Sequence, residues 1–179
     1  MGKLVVTSFI TLDNVVEEPH LWSGKFQSDD TGELNDAVLQ EADALLLGRV
    51  TYEGFAAAWP SRSGDRFSDK FNAMPKHVVS SSLEKAEWNN STIIADDVVE
   101  RVRALRDEQN LLVWGSPTLV QTLMDHDLVD EYVLLVSPIV RGEGIRLFRD
   151  AGGQHDLRIA EATVLGGGML ALRMTPARA

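Results

Sequence analysis

The 179-residue chain contains 44% hydrophobic and 25% charged residues, which is typical of a globular protein, and we expect one domain spanning residues 1–179. Its formal net charge of −10 argues against binding to nucleic acid or to an anionic membrane, because either partner requires a clustered basic surface. The chain has no cysteine, no signal-peptide pattern and no apolar run of about 18 residues, so we expect a cytoplasmic protein without disulfides or thiolate metal sites.

The first third of the chain contains one predicted strand and one predicted helix. Residues 3–10 are short, β-branched and apolar, which predicts a strand buried on both faces. Residues 11–29 form a turn-rich segment that is long for a plain connection, and such loops are often functional. Apolar residues then recur at helical spacing through residues 30–44.

Strands and helices continue to alternate through the middle of the chain. Residues 44–48 are entirely aliphatic up to a glycine and predict a second buried strand. A short helix over residues 50–59 is ended by the proline that follows, and residues 61–75 are predicted to be a polar loop. Residues 76–82 and 91–96 predict the third and fourth strands.

The last part of the chain repeats this alternation and then ends in a hairpin. Helices are predicted over residues 97–108 and 116–126, and strands over residues 110–115 and 128–140. Residues 157–176 read as two strands around a glycine turn. These elements predict an α/β fold with a mixed, mostly parallel sheet, flanking helices and a C-terminal antiparallel hairpin.

The end of the second strand carries a candidate anion site. Gly48, Arg49 and Thr51 stand where the strand passes into a helix. Unpaired N–H groups at a helix start, the helix dipole and a guanidinium together suit a phosphate. The alternative is that Arg49 pairs with one of the many carboxylates and that Gly48 is only a turn residue.

The ends of the third and fifth predicted strands are also candidate anion sites. Serines 80–82 follow the third strand, and their hydroxyls suit a phosphate or ribose, although serine is also common in turns. Gly115, Ser116 and Pro117 follow the fifth strand and begin a helix, again as an anion site or as a structural cap. The ordinary dinucleotide fingerprint GxGxxG is absent.

The order of these motifs resembles the dihydrofolate reductase superfamily, most closely the bacterial branch similar to the reductase domain of the bifunctional riboflavin-biosynthesis deaminase/reductase. The resemblance covers nearly the whole chain through the segments KLVVTSFITLDNVV, DALLLGRVTYEGF, KHVVSSSL, LLVWGSPTLVQTLM and LVDEYVLLVSPIVRGEGIRLF. It implies a dihydrofolate-reductase-like fold, NADPH as the cofactor, hydride transfer to a C=N or C=O bond, and a homodimer.

The resemblance also implies positions for the cofactor. Residues 9–12 would line the nicotinamide pocket, and residues 142–144 would close one side of the site. Asn14 stands where this branch usually has glycine. The implied cofactor-binding residues are Gly48, Arg49, Thr51, Ser81, Ser82, Gly115, Ser116, Pro117 and Thr118.

Reduction of a C=N or C=O bond also requires a proton. In folate reductases an acid of the first helix assists, and Asp29 and Asp30 are the nearest counterparts; Asp30 is our candidate and Asp13 a lesser one. Asp30 is equally well explained as the N-cap of its helix, paired with Glu33 in a capping box.

Aromatic residues are candidates for stacking on a planar substrate. Trp22 lies in the long loop and is the preferred candidate, and Phe55 is a second. Phe55 and Trp59 stand four residues apart on a predicted helix, and this spacing favours a core role for both.

The sequence therefore predicts an NADPH-dependent reductase of a small planar or heterocyclic substrate, such as a pteridine, a pyrimidine or a flavin precursor. The alternative is a non-catalytic, nucleotide-binding homodimer that retains the reductase fold. We expect no metal site, because the four histidines are scattered without ligand spacing.

Overall fold

The computed structural model describes residues 1–150 and 153–177. Its strands are β1 (Leu4–Thr11), β2 (Ala44–Gly48), β3 (Lys76–Val79), β4 (Ser91–Ile94), β5 (Leu111–Trp114), β6 (Glu131–Ser137), β7 (Leu157–Val164) and β8 (Leu170–Pro176). Its α-helices are α1 (Asp29–Glu41), α2 (Arg49–Ala58), α3 (Arg66–Ala73), α4 (Val98–Glu108) and α5 (Pro117–Asp125). Within these described residues, no helix has the length and apolar character needed to cross a membrane.

All eight strands pair in one sheet, in the order β4-β3-β2-β5-β1-β6-β8-β7. Strands β1 to β6 are mutually parallel, whereas β8 is antiparallel to both β6 and β7. This arrangement confirms the predicted α/β fold with a mostly parallel sheet and a C-terminal antiparallel hairpin. Because β2 and β5 are central neighbours, the two helix starts that follow them lie side by side.

The hydrophobic core lies on both faces of the sheet. On one face, Leu46 and Val113 of the sheet pack with Val102 of α4 and Leu123 of α5. On the other face, the core includes Leu45, Leu47, Leu112 and Val133 of the sheet, Leu39 of α1 and Phe71 of α3. Full burial of such an aliphatic side chain contributes about 1.5–3 kcal/mol, so the unbroken apolar run of β2 is stable only as a central strand.

Helix α3 corrects the prediction that residues 61–75 form a loop. The Asp65 carboxylate accepts the Ser68 N–H at 2.9 Å and caps this helix. Phe67 and Phe71, four residues apart, contact Trp114 of β5 edge-to-face with ring centroids 5.9 Å away. A helix of eight residues with two large apolar side chains gives little periodic signal, and these tertiary contacts stabilise it.

Lys76 of β3 ties α3 to the segment before β4. Its side chain is fully buried, and the ammonium donates to the carbonyls of Asn72, Met74 and Asn89 at 2.8, 2.8 and 3.0 Å. It also lies 4.3 Å from the ring centre of Trp88. Burial lowers the pKa of Lys76 to about 8. Three carbonyl acceptors compensate for the water that this charge loses on folding.

Candidate functional site

The predicted cofactor residues follow strands that are neighbours in the sheet. The carboxyl ends of β3, β2, β5 and β1 lie in that order along one edge, and the first and last are three strand spacings, or about 14 Å, apart. Ligands of open α/β sheets bind outside the carboxyl ends of the strands. The structure therefore brings the three predicted strand ends and the end of β1 to one edge.

The turns after β2 and β5 are in direct contact. The Gly48 N–H donates to Ser116 Oγ at 3.0 Å, and that hydroxyl in turn donates to the Trp114 carbonyl at 3.2 Å. A Cβ on Gly115 would lie 3.6 Å from Thr51 Oγ1, in ordinary contact. Two motifs that stand more than 60 residues apart in the sequence therefore form a single surface.

The turn after β5 has a special backbone conformation. Gly115 and Ser116 have φ angles of 61° and 56°, so two successive residues are left-handed. A non-glycine residue in this region costs about 1–2 kcal/mol, and such strain is concentrated at functional sites. Pro117 then begins α5, whose first-turn N–H groups, including that of Thr118, have no carbonyl partner within the helix. These groups suit the anionic oxygens of a phosphate.

Arg49 is the first residue of α2 and directly follows β2. Its guanidinium donates to Glu53 Oε2 at 2.9 Å, and the two side chains are 44% and 49% exposed. The alternative from the sequence, pairing with a carboxylate, is therefore also present. Such exposed pairs are worth at most about 1 kcal/mol, so a bound phosphate competes readily for the arginine.

The three serines after β3 differ in their surroundings. Strand β3 ends at Val79, which corrects the predicted strand over residues 76–82. Ser80 is buried, and its Oγ accepts the N–H groups of Ser82 and Leu83 at 3.2 and 3.0 Å. Ser81 and Ser82 are exposed at the sheet edge. The triple-serine sequence located this turn, but it did not distinguish the serine that holds it.

Asp13 connects the end of β1 to the glycine-bearing loop after β6. Its carboxylate accepts the Thr11 hydroxyl at 2.6 Å and the N–H groups of Arg141 and Gly142 at 3.1 and 2.7 Å. These bonds, the Thr11 bond foremost, lower the pKa of Asp13 to about 2. Asp13 is therefore ionised at neutral pH and is not suited to donate a proton.

Asn14, the departure from the usual glycine, strengthens the same junction. Its φ of 72° is left-handed, a region that asparagine tolerates better than most residues. Its side-chain amide donates to the Phe148 carbonyl at 2.6 Å and accepts the Phe148 N–H at 3.0 Å. Nearby, Gly144 is so close to Val15 that a Cβ would approach its Cγ1 to 2.7 Å. The loop over residues 142–144 is thus held against the segment that follows β1.

Asp30, the candidate acid, lies between the start of α1 and the β7–β8 turn. Its carboxylate accepts the Ser28 hydroxyl and, at 2.8 Å, the N–H of Gly166 in the β7–β8 turn. The bond from Ser28, followed by that from Gly166, lowers the pKa of Asp30, so it is ionised at neutral pH. We conclude that Asp30 anchors the hairpin to the start of α1.

The interpretation of Asp30 as the N-cap of α1 is wrong. Ser28 occupies the N-cap position of α1, and Thr31 Oγ1 accepts the Ser28 N–H at 3.2 Å. The capping pair is therefore Ser28 with Thr31 rather than Asp30 with Glu33. Ser28 Oγ also accepts the Gly167 N–H at 2.9 Å, so the helix cap and the hairpin turn are joined.

Both aromatic candidates for substrate contact have packing roles in the structure. Trp22 is 6% exposed, and its indole N–H donates to the Glu17 carbonyl at 2.9 Å. The rings of Phe55 and Trp59 lie 5.4 and 4.7 Å from that of Phe71. This placement favours the core role that the spacing of Phe55 and Trp59 indicated. It argues against Trp22 as a stacking surface, because its ring is already enclosed.

The family model of the RibD C-terminal domain matches residues 2–171. The chain belongs to this family. A relative, the uncharacterized protein YwjB of Bacillus subtilis strain 168, is 26% identical over 162 residues, which are 88% of each chain. The match extends over almost the whole length of both proteins.

Two solved structures show the same fold. A protein of Shewanella sp. PV-4 named for riboflavin biosynthesis has a TM-score of 0.79 at 19% identity, covering 98% of this chain and 99% of its own. Dihydrofolate reductase of Enterococcus faecalis, in complex with NADP(H), has a TM-score of 0.64 at 14% identity, covering 99% and 98%. Together with the family match, they confirm the dihydrofolate-reductase-like fold.

The anchoring role of Asp30 predicts the effect of its removal. The Asp30→Ala change removes the acceptor of the Gly166 N–H, so amide hydrogen exchange at Gly166 should accelerate severalfold. The matched control is Asp29→Ala, which removes the neighbouring acid of the same helix turn and should leave Gly166 unchanged. Unaltered protection of Gly166 in Asp30→Ala would contradict the anchoring role.

Proposed function

We propose that this protein is an NADPH-dependent reductase that transfers hydride to a small planar or heterocyclic substrate. The substrate class is a pteridine-, pyrimidine- or flavin-precursor-like ring. The main support is the contact between Gly48 and Ser116, which joins an arginine, a left-handed glycine turn and a helix N-terminus on one edge. Membership of the RibD C-terminal domain family gives independent support.

Under this proposal the cofactor extends along the edge from β3 to β1. Arg49 and Thr51 meet the phosphates on the adenosine side, with Arg49 reaching the 2′-phosphate, and Ser81 and Ser82 lie near the adenine ribose that carries it. In the turn over residues 115–118, the N–H groups of Ser116 and Thr118 hold the pyrophosphate, because the Gly115 N–H donates to the Thr7 carbonyl at 3.0 Å and Pro117 has no N–H. The end of β1, over residues 9–12, lines the nicotinamide pocket, and the loop over residues 142–144 bounds it.

The chain contributes mainly positioning to the proposed reaction. NADPH supplies the hydride, that is, both electrons, to the carbon of the C=N or C=O bond. The junction held by Asp13 and Asn14 fixes the end of β1, and precise placement of this kind accelerates hydride transfer. Because Asp13 and Asp30 are both ionised, we assign the proton that reaches the nitrogen or oxygen to water. We place the reaction in the cytoplasm.

A second candidate function is nucleotide binding without catalysis. It is favoured by one observation, namely that both predicted acids are held ionised as loop anchors. NADPH binding without oxidation across a panel of pteridines, flavin precursors, quinones and imines would favour this function over the reductase.

We also propose that the protein is a homodimer formed through the outer face of its hairpin. On this face Ile159, Ala162 and Val164 of β7 pair with apolar residues of β8, and Ile159 and Val164 are 59% and 73% exposed. The opposite face of the same hairpin carries charged and polar pairs such as Glu161 with Arg173. Such alternation is typical of a hairpin with one covered face.

A second copy of the chain fits this face for an electrostatic reason. Each copy has a net charge of −10, so two copies repel each other over most of their surfaces. The apolar hairpin face carries no charged side chain among its paired residues, and an isologous contact there brings no like charges together.

The cofactor assignment predicts a selective effect of Arg49. The Arg49→Ala change should weaken NADPH binding roughly tenfold and NADH binding much less, because a charged hydrogen bond to the 2′-phosphate is lost. Tryptophan fluorescence titration of both nucleotides measures this. The control is Arg158→Ala, an exposed arginine of β7 that should change neither affinity. An equal loss of affinity for NADPH and NADH would show that Arg49 does not bind the 2′-phosphate. The absence of a saturable fluorescence change in the unmodified protein would exclude the reductase function.

The dimer surface predicts the effect of charge on the hairpin. The double change Ile159→Asp and Val164→Asp should produce monomers, because it places four carboxylates at a two-fold apolar contact. Thr163→Asp, on the opposite face of β7, is the matched control and should remain dimeric. Sedimentation equilibrium measures both. A monomeric unmodified protein, or a dimeric double variant, would contradict the proposed surface.

A further inference from the structure

Arg49 forms an ion pair with the Glu53 carboxylate at the carboxyl ends of the parallel strands, where we place the cofactor. The first residues after the six parallel strands are Leu12, Arg49, Ser80, Ala95, Gly115 and Pro138, and Arg49 is the basic one among them. Glu53, one turn further along α2, accepts from its guanidinium at 2.9 Å. The edge therefore presents an ion pair to an incoming anion instead of an isolated positive charge.

Helix stability does not explain this arrangement. Arg49 occupies the first position of α2, where the positive end of the helix dipole disfavours a cation. In an i,i+4 pair the stabilising order places the acid nearer the N-terminus, and here the base comes first. Neither the position of Arg49 nor the order of the pair therefore stabilises the helix, which is expected if Arg49 binds a ligand and Glu53 holds the arginine.

We propose that Glu53 determines how strongly the protein discriminates between dinucleotides with and without a 2′-phosphate. This inference rests on the proposed function and assigns to Glu53 a role that depends on the charge of the ligand. A 2′-phosphate bound by Arg49 brings up to two negative charges within about one helix turn of the Glu53 carboxylate. NADH has a hydroxyl at that position and does not experience this repulsion.

Glu53 has two opposing effects on NADPH affinity, and the larger one decides whether it strengthens or weakens NADPH binding. Glu53 restrains the Arg49 side chain, which favours binding, but an exposed pair of this kind contributes little. Its repulsion of a nearby dianion is larger and amounts to roughly a five- to tenfold change in affinity at low salt. The net effect is that Glu53 weakens NADPH binding selectively and brings its affinity closer to that of NADH.

The test compares NADPH and NADH affinities in matched variants by isothermal titration calorimetry. Glu53→Gln should tighten NADPH binding roughly five- to tenfold and change NADH binding less than about twofold. Glu108→Gln makes the same charge change at the far end of α4 and should affect neither nucleotide. In about 0.5 M salt the gain for NADPH should largely disappear, because screening acts on exposed charges.

The outcomes separate this inference from the proposed function. If both nucleotides bind and Glu53→Gln leaves the ratio of their affinities unchanged, the role of Glu53 is overturned and the reductase proposal stands. A gain for NADPH that persists at high salt also overturns it, because the cause is then not electrostatic. If neither nucleotide binds the unmodified protein, the proposed function fails and this inference fails with it.

Discussion

The candidate site depends on one hydrogen bond, from the Gly48 N–H to Ser116 Oγ. It joins the turn after β2 to the turn after β5, which are neighbours only because the strand order places β5 between β2 and β1. Through it, the left-handed Ser116 is held in place, Gly115 faces Thr51, and Arg49 begins its helix beside the start of α5. The site is thus a consequence of sheet topology as well as of local motifs.

The loops around this site are held by carboxylates and amides. Asp13 and Asn14 fasten the end of β1 to the segment after β6, and Asp30 with Ser28 fastens the hairpin turn to α1. In each case a side-chain oxygen accepts backbone N–H groups that a loop would otherwise expose. An acidic chain thus uses ionised groups as structural anchors, and this explains why acids near the site need not be catalytic.

The sequence predicted the features that depend on local pattern. Strand β2 was placed at its observed bounds, because an aliphatic run between polar flanks has one stable location in a parallel sheet. Helix α3 was missed because its stability comes from contacts of Phe67 and Phe71 with Trp114, far away in the sequence. The contact of Asp30 with the hairpin turn could not be predicted for a similar reason, since its partner Gly166 is 136 residues distant. The enclosure of Trp22 likewise depends on tertiary packing.

The central claim is that the turns after β2 and β5 together hold the phosphates of a dinucleotide. A crystal structure of the protein with NADPH tests it most directly. We predict the pyrophosphate against residues 115–118 and the adenosine side next to Arg49. The contradicting result is a nucleotide bound elsewhere, such as in the cavity of about 200 Å³ lined by Lys3, Glu131 and Arg173 at the opposite edge of the sheet.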